Sequence, residues 1–260
     1  MTAKPSPITI AVIIPHPDDE AYSMAGTLAL AKSWGATLHL LCVTRGESGS
    51  HRALHALTPD ELGTIRQAEL AQSATVLGIE NVECWDWPDG KLDCLEPQKT
   101  EQKLRHWLER VEPDYVFSLG EDGVYGHRDH ICLFKRIKNS LEAIGFRGRW
   151  LTSQFPQAHF TKLWKALRRL NPNPIQTSIH ATCLGQPRNQ VSLVVPIDDV
   201  AQMKWNAIGA HQSQLNNGEP DSFLIPGLIT PLLHEEWFQL ERGTAYKNQN
   251  SPLFQAFGQQ

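Results

Sequence analysis

The chain has 260 residues, 41% of them hydrophobic and 20% charged, a composition of ordinary globular proteins that argues against intrinsic disorder. Its 24 Lys and Arg against 28 Asp and Glu leave a net charge of −4, which offers no basic footprint for nucleic acid or an anionic membrane. Five cysteines (Cys42, Cys84, Cys94, Cys132, Cys183) are odd in number, far apart and without a C-x-x-C pair, so they suggest neither a disulfide framework nor a thiolate zinc site and point to a reducing compartment.

The N-terminus carries a short apolar run cut by proline and followed at once by acids, so no signal peptide is expected. No stretch of about 18 apolar residues occurs, so a cytoplasmic protein without a membrane span is expected. Residues 8–15 form a continuous apolar, β-branched run, the pattern of a central parallel strand buried on both faces. A helical spacing follows and stops at Gly35, and residues 37–44 read as a second buried strand, completing a βαβ unit. The plan repeats with a helix over about 59–77 ending at Gly78, a short strand at 82–86, a helix over about 97–111, a strand at 114–119 and a helix over about 129–144 ending at Gly145. These repeats predict an α/β protein, a Rossmann-like three-layer α/β/α fold with a mostly parallel sheet. Beyond Trp150 the order is less legible: a basic amphipathic segment LWKALRRL, a proline-rich NPNP, a strand at 191–195 and a helix over about 199–214. With no Ser/Gly linker, repeat or low-complexity tract, one domain over residues 1–260 is expected, the C-terminal third from about 150 adding to it.

In open α/β sheets ligands bind beyond the carboxyl ends of the strands, which singles out three loops. They are His16-Pro17-Asp18-Asp19-Glu20, the segment from Thr44 to Gly49, and the segment from Glu121 to His130. His16 and Asp19 are three apart across a turn, which lets an imidazole and a carboxylate converge, and His130 can supply a third ligand. Two His and one carboxylate are the ligand set of catalytic zinc, which keeps a position open for water. In that arrangement Asp18 is free to take a proton from the water. His127 would flank the opposite side; as an imidazolium held by Asp129 it would stabilise an oxyanion and protonate a leaving amine. Each loop has a plain structural reading too: a proline-started helix with an acidic cap, and surface histidines at a helix start capped by Asp129. Their joint occurrence at the strand ends of one sheet favours chemistry.

Other features carry two readings each. Glu47 and Ser48 line the pocket or belong to a turn built on Gly46 and Gly49. His51 and His55 have i, i+4 spacing but no accompanying carboxylate. Trp85 and Trp87 flank Pro88-Asp89-Gly90, where their rings would stack on a sugar or pack into the core. LWKALRRL is a lid or a solvated helix face.

H-P-D-D-E after the first strand, T-x-G-E-x-G after the second, Arg66 and Glu69 as R-x-x-E in the next helix, and Tyr125-Gly126-His127-Arg128-Asp129-His130 occur in this order. The set resembles the PIG-L/LmbE-like family of zinc-dependent N-acetylglucosamine deacetylases over about the first 135 residues, and Lys204 with His211-Gln212-Ser213-Gln214 looks like the family's later helix. The resemblance implies His16, Asp19 and His130 as zinc ligands, Asp18 as general base and His127 as electrostatic catalyst or acid. It further implies that Tyr125 helps polarise the carbonyl and that Arg66 binds sugar. The chain departs from the family where P-H-P-D-D-E replaces A-H-P-D-D-E and where Arg128 replaces the usual proline. The expected function is a zinc-dependent hydrolase that deacetylates an N-acetylglucosamine-type amino sugar or its conjugate; Fe2+ or another divalent ion suits the same ligands. An amidase acting on another conjugate, such as a thiol conjugate, and a non-enzymatic metal-sensing module are the alternatives. No G-x-G-x-x-G follows the first strand, which counts against a nucleotide module. The expected partner is a small-molecule amino-sugar conjugate and not nucleic acid; homo-oligomerisation stays open.

Overall fold

The computed structural model describes residues 7–49, 57–170, 173–176 and 180–243. In chain order the elements are β1 (Thr9–Ile14), α1 (Asp19–Ser33), β2 (Thr37–Thr44), α2 (Pro59–Leu77), β3 (Asn81–Trp87), α3 (Pro97–Val111), β4 (Tyr115–Leu119), a single turn α4 (Gly123–Gly126), α5 (Arg128–Ala143), β5 (Arg149–Gln154), α6 (Thr161–Leu167), β6 (Leu193–Pro196), α7 (Ala201–Gly209) and β7 (Glu235–Arg242). Local chemistry explains the clearest boundaries. The Thr58 side chain and Glu61 form a reciprocal capping box at the start of α2, Pro59 opens its first turn, and Gly78 closes it in the left-handed conformation.

The seven strands lie in the order β3-β2-β1-β4-β5-β7-β6. The first five are parallel, and β7 runs antiparallel to both β5 and β6. The strand order reverses between β1 and β4, so the loops leaving these two strands open the crevice in which such sheets bind ligands. Side-chain alternation along β1 builds two cores. Ile10, Val12 and Ile14 pack beneath α1, α2 and α7, whereas Ala11 and Ile13 face Leu104, Trp107 and Leu108 of α3 and Leu133, Phe134 and Ile137 of α5. Helices thus cover both faces of the sheet, the predicted three-layer fold.

Two strands escaped the sequence reading. β5 buries Thr152, Ser153 and Gln154, whose polarity hides the apolar run expected of an inner strand. Each is satisfied by a long-range or neighbouring partner: Thr152 Oγ1 donates to Glu241 Oε1 at 2.8 Å, and Ser153 Oγ donates to the Ser23 carbonyl at 3.0 Å. β7 begins and ends in charged residues, and only its middle, Glu236 to Phe238, is buried. The helix expected to 214 ends instead at Gly209, because the chain turns to bring His211 to Glu20 (2.8 Å) and Ser213 to Glu69 (2.6 and 2.7 Å). Within LWKALRRL, Leu163 and Trp164 are buried and the basic residues are solvated, the plain helix-face reading.

A buried ion pair fastens the C-terminal third to α1. Lys204 Nζ lies 2.8 Å from Glu236 Oε1, and the Glu236 carboxylate also accepts the N–H groups of Gly26 and Thr27 at 2.9 and 2.7 Å. Gly26 is required there, since a Cβ would lie 2.7 Å from Ile197. Lys204→Met is expected to destabilise the protein by about 3–5 kcal/mol by leaving the Glu236 carboxylate buried without its cation, which urea unfolding would measure. No helix among the described residues is long and apolar enough to cross a membrane.

Candidate metal centre

The chain leaves β1 through His16-Pro17 and enters α1 by a strained turn, Asp18 lying at φ 121°, ψ −23°. The Asp18 carbonyl accepts the Ala21 N–H at 3.0 Å, and its own N–H donates to Glu20 Oε2 at 3.1 Å. This turn sends two successive carboxylates in different directions: Asp18 faces Arg66, and Asp19 faces His16 and His130.

His16 Nδ1 lies 3.2 Å from Asp19 Oδ2 and 3.2 Å from His130 Nε2, and His130 Nε2 lies 3.4 Å from Asp19 Oδ1. Two ligands on bonds of about 2.05 Å at a tetrahedral angle lie about 3.3 Å apart, so these three groups have the spacing of a shared small cation. Asp19 is oriented by the Tyr22 hydroxyl on Oδ1 (2.8 Å) and by the His16 backbone N–H on Oδ2 (2.9 Å). Asp18, Asp19, Asp89 and Asp129 are all buried around this point, with Arg66 as the permanent cation among them. A divalent ion would offset the excess of buried negative charge, and the donor set therefore fits one.

His16 turns its other nitrogen, Nε2, to Asp89 Oδ1 at 3.1 Å and Asp129 Oδ2 at 3.2 Å. That is how an imidazole ligand is ordinarily oriented, its far N–H held by carboxylates. Two other groupings share His16: His16 with His127 and His130, and His16 with Asp89 and Asp129, each with ligand atoms within 4.8 Å of one another. Burial opposes protonation of His16, but Asp89, Asp129 and Asp19 outweigh it and raise its pKa well above the usual value. Burial would raise Asp19, yet His130 and His16 hold its carboxyl well below the usual carboxylate range. Burial drives His130 down to about 4 against the pull of Asp19. Burial pushes Asp18 up to about 7, against the pull of Arg66, which is the range of a base working near neutral pH.

His127 caps α5: its Nδ1 accepts the Asp129 N–H at 3.2 Å, which assigns the ring proton to Nε2. Burial, with His130 and His16 adding to it, lowers His127 to about 3, so the ring is neutral and offers one N–H. The expectation that Asp129 holds an imidazolium at His127 is corrected here. The Asp129 backbone bonds that ring while its carboxylate leaves the other way, accepting Gly90 N–H at 2.7 Å and Leu92 N–H at 3.1 Å besides facing His16. Tyr125 is buried with its ring 5.3 Å from that of His130 and 5.9 Å from that of His127. Burial and then Asp19 raise its pKa well above the usual value, so the hydroxyl stays protonated.

Arg66, expected at the sugar, is instead turned inward. Its Nη2 donates to Asp18 Oδ2 at 2.8 Å and to the Pro17 carbonyl at 2.5 Å, and its Nη1 donates to the Gly46 carbonyl at 2.8 Å. A Cβ on Gly46, which also has φ 68°, would lie 2.3 Å from Arg66 Nη1, so glycine there makes room for the guanidinium. Glu47 and Ser48 likewise brace a neighbouring loop: Glu47 Oε1 accepts the Asp89 N–H at 2.9 Å, and the Ser48 N–H donates to Asp89 Oδ2 at 2.8 Å. The Gly49 N–H bonds the Gly46 carbonyl at 3.1 Å, the turn that was the second reading of this segment. Asp89 escaped the sequence reading, although it lies just beyond the carboxyl end of β3, the position that flags the other three loops. Trp85 and Trp87 pack against the core under α3, their rings 5.1 Å apart and the Lys103 amine 4.1 Å from the first, the core reading. His51 and His55 lie outside the described residues. Arg128 donates its N–H to the Pro174 carbonyl at 3.0 Å, a bond that a proline at this position cannot make.

The family described as GlcNAc-PI de-N-acetylase (PIG-L) matches residues 11–141, which span β1 to α5 and every group of the centre. The 1D-myo-inositol 2-acetamido-2-deoxy-alpha-D-glucopyranoside deacetylase of Saccharomonospora viridis is 29% identical over 252 residues, covering 88% of this chain and 93% of that protein. The probable N-acetyl-alpha-D-glucosaminyl L-malate deacetylase 2 of Bacillus cereus is 25% identical, covering 92% and 97%. Among solved structures, the N,N'-diacetylchitobiose deacetylase of Pyrococcus horikoshii superposes with a TM-score of 0.60 at 20% identity, over 96% of this chain and 86% of that one. The 4-carboxy-2-hydroxymuconate hydratase of Pseudomonas putida superposes with a TM-score of 0.62 at 16% identity, over 93% and 99%. The fold therefore hosts a hydratase as well as a deacetylase, and the reaction has to be argued from the site.

Proposed function

The chain belongs to the GlcNAc-PI de-N-acetylase (PIG-L) family, and from that premise we propose that it is a metal-dependent hydrolase removing the acetyl group from an N-acetylglucosamine conjugate. The observation that carries this reading is the convergence of His16 Nδ1, the Asp19 carboxylate and His130 Nε2 at 3.2–3.4 Å, with the buried Asp18 next to Asp19 in the chain. His16, Asp19 and His130 would hold the ion, zinc being the choice for two imidazoles and a carboxylate. Bound there, a divalent ion supplies acidification of water toward neutral pH and polarisation of the amide carbonyl.

The chain's own residues do the rest. Asp18 takes the proton of the attacking water, its carboxylate fixed by Arg66 Nη2. His127 presents its Nε2–H to the oxygen of the tetrahedral intermediate, and the protonated Tyr125 hydroxyl adds a second donor. The proton held by Asp18 passes to the departing amine as the C–N bond breaks, leaving acetate and a free amino sugar. Asp129 and Asp89 keep the His16 ring in the orientation that aims Nδ1 at the ion. The relatives named for inositol and malate conjugates support an N-acetylglucosaminyl conjugate as the substrate class.

The test is acetate release from methyl N-acetylglucosaminide and a panel of its conjugates, with the protein freed of metal and then reconstituted with Zn2+ or Fe2+. Acetate from the reconstituted protein and none from the metal-free protein is the expected result; no acetate from any conjugate with either ion overturns it. Arg66→Lys separates the two roles considered for that residue. A compact ammonium does not reproduce the contacts of the fork with Asp18 and two carbonyls, so kcat is expected to fall by about 10²-fold through misplacement of Asp18 while KM stays constant. A rise in KM at constant kcat would return Arg66 to the sugar.

A further inference from the structure

Two thiols that the mechanism does not use meet at the edge of the sheet. Cys42 of β2 and Cys84 of β3 are register partners on adjacent parallel strands. That pairing sets their Cα atoms about 4.8 Å apart, inside the roughly 4.4–6.8 Å span of disulfides. Both sulfurs converge on one acceptor: Cys42 Sγ lies 3.2 Å and Cys84 Sγ 3.3 Å from the Thr44 carbonyl oxygen. β3 is the edge strand, and it takes three residues from Cys84 to Trp87 where β2 takes two from Cys42 to Thr44. A bulged strand with a single neighbour is free to follow its sulfur toward β2.

The two thiols differ in access and acidity. Cys42 is buried, whereas Cys84 is partly exposed. Hydrogen bonding with Cys42, to which Arg45 and Arg66 add, lowers the Cys84 pKa against burial, and burial with the same contact raises Cys42 well above the usual value. Cys84 is therefore the sulfur that a small oxidant meets, and Cys42 is the one placed to resolve it. Thr44 ties the pair to the site. Its Oγ1 donates to the Pro15 carbonyl at 2.8 Å, one residue before His16, and accepts the Gly46 N–H at 3.2 Å. The Gly46 carbonyl in turn holds Arg66, the partner of Asp18. Cys42 Sγ also reaches the Pro15 carbonyl at 3.6 Å. Joining the sulfurs takes them off these carbonyls and draws β3 onto β2 at the root of the loops that carry His16 and Gly46.

We infer that Cys42 and Cys84 are an oxidation site, closed to a disulfide by a hydroperoxide and reopened by a thiol or phosphine reductant, and that closure disturbs the Arg66–Asp18 support and lowers turnover. The Cys84 thiolate attacks one peroxide oxygen and the O–O bond breaks. Cys84 becomes a sulfenic acid, and the hydroxide that leaves is protonated to water. Cys42 then attacks the Cys84 sulfur, the S–O bond breaks, and hydroxide departs with the Cys42 proton as a second water. The two thiols thereby lose two electrons to the peroxide. The effect on turnover rests on the deacetylase reading above; the disulfide does not.

The test treats the zinc-loaded protein with equimolar hydrogen peroxide and maps its cross-linked peptides by mass spectrometry. A Cys42–Cys84 cross-link short of two hydrogens is expected in the wild type and not in Cys84→Ser. Cys42→Ala is expected to stop at a sulfenic acid on Cys84, which dimedone traps. No cross-link, or one that instead joins Cys94, Cys132 or Cys183, overturns the inference. In the oxidised wild type kcat for acetate release is expected to fall about tenfold or more and to recover with a phosphine, while peroxide-treated Cys84→Ser keeps its rate. A complete disulfide with unchanged kcat overturns the link to turnover. If the reduced protein releases no acetate, it is the deacetylase reading that has failed, and the cross-link map alone then decides for the thiol pair.

Discussion

Asp18→Asn is expected to lower kcat for acetate release by about 10³-fold while the protein keeps its metal and its fold. Asparagine matches the shape of the carboxylate and tolerates the positive φ of this position better than most residues, so the variant removes the base and its negative charge while keeping an acceptor for Arg66. Asp18→Ala is expected to lose the rate equally, but it also removes the acceptor of the Arg66 Nη2–H, which the amide oxygen of asparagine keeps, and leaves a guanidinium only 3% exposed with that donor unpaired. A further stability loss of about 1–3 kcal/mol in Asp18→Ala should therefore separate the two variants. The paired measurements are metal content, single-turnover acetate release and urea unfolding. A metal-loaded, folded Asp18→Asn protein with wild-type kcat would remove Asp18 as the base and leave the role to a group outside this carboxylate.

The second large effect concerns the ion. His130→Ala removes one of three groups spaced at 3.2–3.4 Å, and the variant is expected to purify without stoichiometric metal and to release no acetate at metal concentrations that saturate the wild type. Asp129→Asn should behave differently. Its carboxylate touches His16 rather than the shared point, so a 10- to 100-fold loss of metal affinity is expected, with activity restored by excess ion. His127→Ala distinguishes the competing ligand groupings. As the oxyanion donor its loss leaves metal content intact and lowers kcat by about 10²–10³-fold, whereas metal loss there with full retention in Asp19→Asn would move the third ligand from Asp19 to His127.

The early part of the chain is legible because its signals are local. Continuous β-branched runs announce β1 and β2, the Thr58–Glu61 box and Gly78 bound α2, and the strand-end rule picks out both His16-Pro17-Asp18-Asp19-Glu20 and the segment ending at His130. β5 stays hidden because Thr152 and Ser153 are buried and polar, and their burial becomes tolerable only through Glu241 and the Ser23 carbonyl, 89 and 130 residues away. The end of α7 is set by Glu20 and Glu69, 191 and 144 residues from the groups they bind.

The division is the same within the site. By itself the sequence determined the α/β class, the order of the first strands and helices, and the identity of the residues brought together at the strand ends, because each follows from periodicity, capping or a short motif. Only the tertiary structure decided which way those side chains face. It turned Arg66 inward to Asp18 across 48 residues, brought Asp89 to His16, and gave the Asp129 carboxylate to an imidazole 113 residues away instead of the one beside it. The physical reason is that a charged side chain in a buried site takes its direction from the partners that satisfy it. Here those partners arrive from other strands, beyond the reach of any local pattern.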